Sequence, residues 1–210
     1  MRLTVLGATG GTGTLLVGQA LAGGHAVTAV VRRGWPGPDH PRLRVVVADV
    51  LDPGSLPPAL DGADAVLSAL GSAEAGRPTR VYSAGGSAVL AAMRDLDIRR
   101  LVAITALPIA PVAEQDALQR RLVHPLLHRF FGGAYEDMRR MEAVLAASDS
   151  DWTVFRPPYL RDGPATGTWR SAVDAPLPRA WTLRRADLAA AMLAATSDDQ
   201  LVRHAVNVAA

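Results

Sequence analysis

The chain has no cysteine among its 210 residues, which excludes disulfide frameworks and thiolate metal centres. It has no lysine either; all 22 basic residues are arginine. No side chain can therefore form a Schiff base, and no lysine can serve as a catalytic base. Without lysines to lose their charge near about pH 10, the formal excess of +2 persists and the pI rises to about 9.6. Aromatic residues make up only 5% of the chain, and no basic stripe with interleaved aromatics is present, which argues against a nucleic-acid surface. No apolar run approaches the roughly 20 residues needed to span a bilayer, and with a first strand expected directly after Met1 no leader is expected. These features predict a cytoplasmic protein with no membrane partner. Its hydrophobic content of 49% suits one domain across residues 1–210.

What is present is concentrated at the N-terminus. A strand, Leu3 to Leu6, runs into Gly7-Ala8-Thr9-Gly10-Gly11-Thr12-Gly13, then an apolar helix, then a strand from Val27 to Val31. A glycine-rich turn between a buried strand and a helix is a place for a pyrophosphate. Gly7 suits a tight turn, Gly10 a close approach of backbone to phosphate, and Gly13 close packing of helix on sheet. The order strand, turn, helix, strand is the context this fingerprint requires. In an NAD site an acidic residue about 20 positions past the glycines binds the ribose 2′-hydroxyl, whereas arginine suits a 2′-phosphate. Here Arg32 and Arg33 end the strand and no acid accompanies them. A guanidinium can grip phosphate bidentately and stack on adenine, so NADP(H) is the expected cofactor.

Further strands are expected at Leu43 to Val47, which reads as buried, and at Ala65 to Ser68, Leu101 to Ile104, Trp152 to Phe155 and Ala205 to Val208. Helices are expected over Thr79 to Asp95, Tyr135 to Ala147 and Ala186 to Thr196, the last capped near Arg185-Ala186-Asp187. Between Pro108 and Gly133 the pattern is irregular: Gln115 to Val123 reads as one helix interrupted at Pro125, Leu126 to Phe131 as another, with Gly132-Gly133 a break. The alternation predicts an α/β Rossmann-type, doubly wound parallel sheet with helices on both faces and a small C-terminal lobe. Segments 108–134 and 157–182 fall on the substrate side of that lobe. The loop Arg161 to Trp169 would line the same side.

Several segments together resemble the atypical short-chain dehydrogenase/reductase group, in particular NAD(P)H-binding, NmrA-like and flavin reductase-like proteins. They are the glycine turn, Val30-Val31-Arg32, Ala48-Asp49-Val50, Ala63 to Gly71, Asp151 to Pro158 and Arg184 to Ala189. The resemblance implies that Gly7, Thr9, Gly10, Gly11, Thr12 and Gly13 hold the pyrophosphate. It places Arg32, with Arg33 beside it, at the 2′-phosphate, and Asp49-Val50 at the adenine edge. Leu70-Gly71 would pass the ribose, Thr105-Ala106 would lie near the nicotinamide, and Pro157-Pro158-Tyr159 beside the substrate pocket. Asp49 reads equally as a turn former before a helix, and Thr105 as a strand-end hydroxyl bonded to backbone.

Many enzymes of this group use a tyrosine with a lysine four positions later to exchange a proton as hydride moves. Tyr135 and Arg139 have that spacing with the lysine replaced, so Tyr135 reads either as the catalytic phenol or as an amphipathic helix residue. A second route needs no tyrosine: an acceptor is held against the nicotinamide, with Tyr159 as wall or donor and Thr105 as a hydrogen-bonding group. Arg120, Arg121, His124, His128, Arg129, Arg139 and Arg140 make a local positive density, readable as a lid for an anionic substrate or as a solvated face. His124 and His128 stand four apart, but with Pro125 between them no metal site is expected. The leading function is NADPH-dependent reduction of a small conjugated or aromatic acceptor such as a flavin, quinone or polyketide-like ketone. The alternatives are an NADP(H) redox sensor without turnover and an isomerase, cyclase or dehydratase on the same fold. The sequence leaves the oligomeric state open.

Overall fold

The computed structural model describes residues 1–71, 78–122 and 124–210 and, within these, every side chain but those of 117, 119, 122 and 124. Strands and helices alternate through its first half: β1 (Arg2–Leu6), α1 (Gly11–Ala22), β2 (Ala26–Val31), β3 (Leu43–Val47), α2 (Pro57–Leu60), β4 (Ala65–Ser68), α3 (Ser83–Asp95) and β5 (Arg100–Ile104). The second half holds α4 (Ala117–Leu122), α5 (His124–Ala146), β6 (Asp151–Arg156), β7 (Tyr159–Arg161) and β8 (Arg170–Val173). It closes with β9 (Thr182–Arg184), α6 (Arg185–Ala195) and β10 (His204–Ala209).

Side chains alternate across a strand with period two, so a strand buried on both sides feeds two cores. In β1, Leu3 and Val5 enter one core and Leu6 the other. In β4, Leu67 and Val66 divide the same way, as do Val102 and Leu101 in β5 and Phe155 and Val154 in β6. The first core is closed by Leu16 and Val17 of α1 with Leu188 and Met192 of α6. The second is closed by Leu60 of α2, Val89 and Met93 of α3, and Met141 and Leu145 of α5. The resulting eight-stranded sheet has the order β3-β2-β1-β4-β5-β6-β10-β8. All its pairings are parallel except β10 with β8. Strand order reverses between β1 and β4, and the crevice outside their C-terminal ends is where such a sheet takes its ligand. This is a Rossmann-like doubly wound fold with helices on both faces.

Two expectations need correction. The strand Leu43 to Val47 is the sheet's edge, with Val45 40% and Val47 67% exposed; its β-branched run favours extended backbone without requiring burial. The breaks expected at Pro125 and Gly132-Gly133 are absent, and α5 runs unbroken through all three. Pro125 lies in the first turn, where its missing N–H breaks no helical bond, and the buried faces of Met141 and Leu145 carry the helix past its glycines. After β6 the loop expected over Arg161 to Trp169 lies between β7 and β8, and the structure adds short strands that carried no expectation. Strands β7 and β9 pair in parallel as a separate two-stranded sheet, and β8 joins the main one.

The α1 helix offers a paired test. A Cβ on Gly13 would stand 2.1 Å from the Gly7 carbonyl oxygen, whereas one on Gly18 meets nothing within 4 Å. Gly13→Ala is expected to cost about 3 kcal/mol, and Gly18→Ala to gain about 0.5–1 kcal/mol. Urea midpoints check both, and equal midpoints would contradict the packing assigned to Gly13.

Candidate functional site

The turn from β1 to α1 is held by its own backbone. Gly7 takes φ +70°, the left-handed region, and its carbonyl accepts from Gly10 N–H at 2.9 Å. Thr14 closes the other side, its N–H donating to Gly10 O at 2.9 Å and its hydroxyl to Ala8 O at 3.1 Å. Gly10 provides no side-chain cap, and no acid occupies the first turn of α1. The leading N–H groups of this helix are thus left to an external anion, with the helix dipole behind them.

A cavity of about 660 Å³ opens over this turn and across the strand ends. Its wall brings together Gly7, Thr9, Gly10, Gly11, Thr12, Arg32, Asp49, Val50, Leu70, Gly71 and Thr105 from the residues expected on sequence grounds. Gly13 lies buried behind the turn, and Arg33, Ala106 and Pro157 are not part of the wall. Asp49 serves the turn as well as the wall, since its carboxylate accepts from Leu51 N–H at 2.9 Å. The wall also includes Tyr82, Met138, Leu160 and Arg185. Tyr82, Met138 and Leu160 reach it from positions that carry no local motif, and Arg185 from the start of α6.

Beneath Thr105 lies a buried polar cluster that spacing along the chain does not reveal. The Thr105 hydroxyl donates to Glu142 Oε1 at 2.7 Å. Arg156 donates to the same carboxylate through Nε at 3.0 Å and Nη2 at 2.6 Å, and through Nη1 to Glu114 at 2.7 Å. Arg156 is 5% exposed. Burial works against its charge, but the bonds and field of Glu142, joined by Glu114, outweigh that and raise its pKa above the ordinary arginine value. Because the Thr105 hydrogen is committed to Glu142, its lone pairs are what it can offer to the cavity.

Residues 7–199 match the model of the NAD(P)H-binding family. The chain belongs to that family. Among curated proteins it is similar to an uncharacterised chloroplastic protein of Arabidopsis thaliana, 28% identical over 177 residues. That alignment takes in 79% of this chain but only 61% of the plant protein's length. Among solved structures, a Burkholderia pseudomallei protein covers all of both chains at 26% identity and TM-score 0.84. A Veillonella parvula short-chain dehydrogenase/reductase in complex with NADP is 18% identical, with TM-score 0.83 over 100% of this chain and 94% of that one. ChuY, an anaerobillin reductase from Escherichia coli O157:H7, is 21% identical, with TM-score 0.78 over 100% and 97%. These last two likenesses are of fold. No helix among the described residues is long and apolar enough to cross a membrane.

The tyrosine and arginine expected as a proton-exchanging pair, Tyr135 and Arg139, are not brought to the cavity. Tyr135 is buried outside the cavity wall, in ring contact with His128 and Phe131 at 5.1 and 6.0 Å between centroids. Burial, with the neighbouring Tyr82 phenol adding to it, pushes the Tyr135 phenol up to about 12, opposite to what a proton-exchanging tyrosine needs. Arg139 turns away to His128, 3.3 Å from Nε2. Met138 is the α5 residue that reaches the wall. Tyr159 is 74% exposed, because successive β7 residues face opposite ways and Leu160 takes the inward position.

The positive density of α4 and α5 does not assemble around the cavity: Arg120, Arg121 and Arg129 are exposed, and Arg140 pairs with Glu136 and Asp137 on its own helix. The side chain of His124 lies outside the described residues. Asp137, fully buried, instead caps α3, accepting from Tyr82 N–H at 3.0 Å, Ser83 N–H at 3.3 Å and the Ser83 hydroxyl. Asp187 does not cap its own helix; its carboxylate accepts from Thr166 and Gly167.

Two outcomes follow from these environments. Arg156→Met strands two carboxylates with little exposure and is expected to cost about 3–5 kcal/mol, recovered in part by adding Glu142→Gln. Thermal or urea unfolding reads both. In alkaline titration the Tyr135 phenol should ionise near 12 while the unfolded chain ionises near the ordinary 10. The unfolded state then sheds protons first, so stability falls as pH rises across that window, and Tyr135→Phe removes this part of the fall.

Proposed function

We propose that this protein is an NADPH-dependent reductase that passes hydride to a small conjugated or aromatic acceptor such as a flavin, a quinone or a polyketide-like ketone. The observation that carries the reading is the single cavity joining the anion-binding turn, Arg32 and Thr105 at the switch point of the sheet. Its volume of about 660 Å³ is in the range of cofactor and ligand sites. The turn residues Gly7 to Gly13 would receive the pyrophosphate on backbone N–H groups. Arg32 at the end of β2 would take the 2′-phosphate, and Asp49-Val50 the adenine edge. Leu70-Gly71 and Thr105 would line the nicotinamide end, with Ala106 and Pro157 just behind it. When bound, the nicotinamide supplies the hydride.

The residues around it favour the route without a catalytic tyrosine. Tyr135 and Arg139 stand off the cavity, so rate rests on holding the acceptor close in a partly apolar space, with the proton drawn from solvent or a nearby group. Thr105, held by Glu142, orients a donor group on the nicotinamide or the acceptor. In this reading residues 1–210 act as one unit, and segments 108–134 and 157–182 shape the acceptor side, Leu160 contributing directly. The absence of the tyrosine–lysine pair also supports a second reading, a sensor that binds NADP(H) without turnover.

Binding of NADPH and NADH by calorimetry, followed by addition of a flavin and then a quinone, tests the proposal. The wild type should bind NADPH more tightly than NADH and oxidise it only with an acceptor present. Arg32→Ala should weaken NADPH by roughly ten- to a hundredfold, the size of a lost charge-assisted contact, and leave NADH nearly unchanged. Equal losses for both would overturn the 2′-phosphate assignment. Tight binding with no acceptor-dependent oxidation would favour the sensor.

A further inference from the structure

With no lysine in the chain and no histidine on the cavity wall, a side-chain cation at the dinucleotide's phosphates among these residues has to be an arginine. Among the described residues lining the cavity two qualify, Arg32 and Arg185. Arg185 is the first residue of α6, the helix packed against α1 across the first core. Its stem crosses the glycine-rich turn: a Cβ on Gly11 would stand 3.0 Å from Arg185 Cδ and 3.1 Å from Nε. The absence of a side chain at Gly11 thus makes room for this arginine, in addition to any ligand.

The Arg185 guanidinium is already engaged. Nη1 donates to Asp162 Oδ1 at 2.6 Å, with the Asp162 side chain 90% exposed and that of Arg185 29%. The loop carrying Asp162 does not depend on this pair. Arg184 donates to Pro164 O at 3.2 Å, and buried Asp187 accepts from Thr166 N–H and hydroxyl and from Gly167 N–H at 2.7 to 3.0 Å. The Asp162 pair can therefore open without unfastening the loop.

We propose that Arg185 is a second phosphate-binding arginine, directed at the pyrophosphate, and that Asp162 competes with the ligand for it. The assignment rests on the dinucleotide reading above and differs from it in what it predicts. Arg32 bears on the 2′-phosphate and hence on the choice between NADPH and NADH. Arg185 bears on the diphosphate that both share. An exposed ion pair is worth no more than about fivefold in an equilibrium, whereas a guanidinium on phosphate is worth more, so the exchange runs toward the ligand. Asp162 then acts as an internal competitor that lowers affinity for every diphosphate ligand of the site.

The test titrates wild type, Arg185→Ala, Asp162→Asn and the double variant with NADPH, NADH and ADP, with thermal unfolding as a check on folding. Arg185→Ala should weaken all three ligands by a similar factor, roughly ten- to a hundredfold. Asp162→Asn should tighten all three by about two- to fivefold. In the double variant that gain should vanish, since the competitor matters only through Arg185. Should Arg185→Ala prove misfolded, Arg185→Gln read against Arg185→Lys supplies the same comparison, with lysine retaining part of the affinity. Unchanged binding in Arg185→Ala, a loss confined to NADPH, or an Asp162→Asn gain that persists without Arg185 would each overturn the proposal. Failure of the wild type to bind any of the three would instead overturn the dinucleotide reading, and this inference with it.

Discussion

The close approach of two backbone segments at the head of α1 governs the rest of the molecule. Between β1 and α1 the chain must reverse sharply and lay a helix against the sheet it has just left. The Gly7 carbonyl occupies the space where Gly13 would otherwise carry a side chain, and Gly7 itself needs a left-handed backbone that other residues adopt only with strain. Because this contact is satisfied, α1 starts directly at the end of β1. Its unpaired N–H groups then face the crevice at the switch point of the sheet. The site is a by-product of how strand and helix are joined, which is why so much of its wall is backbone.

The other end of the crevice is organised by a buried cation. Arg156 ties β6 to Glu142 on α5 and to Glu114 in the segment before α4, and through Glu142 it fixes the Thr105 hydroxyl at the end of β5. Such a cluster costs desolvation and returns it only when every partner is in place, so it favours one arrangement of helix and strand over nearby ones. Asp137 makes an analogous link between α5 and the start of α3. The helix α5 is therefore positioned by two polar anchors as well as by Met141 and Leu145, and its position decides which of its residues reach the cavity.

Much of the architecture was legible because it is written in local patterns. Short apolar, β-branched runs marked all seven mutually parallel strands of the main sheet to within a residue or two, and the glycine turn announced itself by its context. Errors arose where a local rule met a tertiary one. Gly132-Gly133 reads as a break, yet packing further along α5 holds the helix together. The β-branched run of β3 reads as buried, yet it lies at the sheet's edge. Tyr159 lies one residue from the cavity-lining position, and with a period of two that single step puts it in solvent while Leu160 faces inward. The Tyr135 to Arg139 spacing matches a familiar pattern, but Tyr135 is enclosed by His128 and Phe131 and Arg139 turns to His128.

The amino-acid sequence by itself determined the order of strands and helices, the glycine-rich turn between β1 and α1, and the arginine at the end of β2. Each depends on residues close together in the chain, where backbone sterics and hydrophobic periodicity act directly. Only the tertiary structure decided that Arg185 lies over the turn, that Arg156, Glu142 and Glu114 share one buried cluster, and that Met138 and Leu160 line the cavity where tyrosines at 135 and 159 do not. Those placements join segments far apart in the chain. They follow from the balance of packing, desolvation and hydrogen bonding in the assembled molecule, which no single stretch of sequence contains.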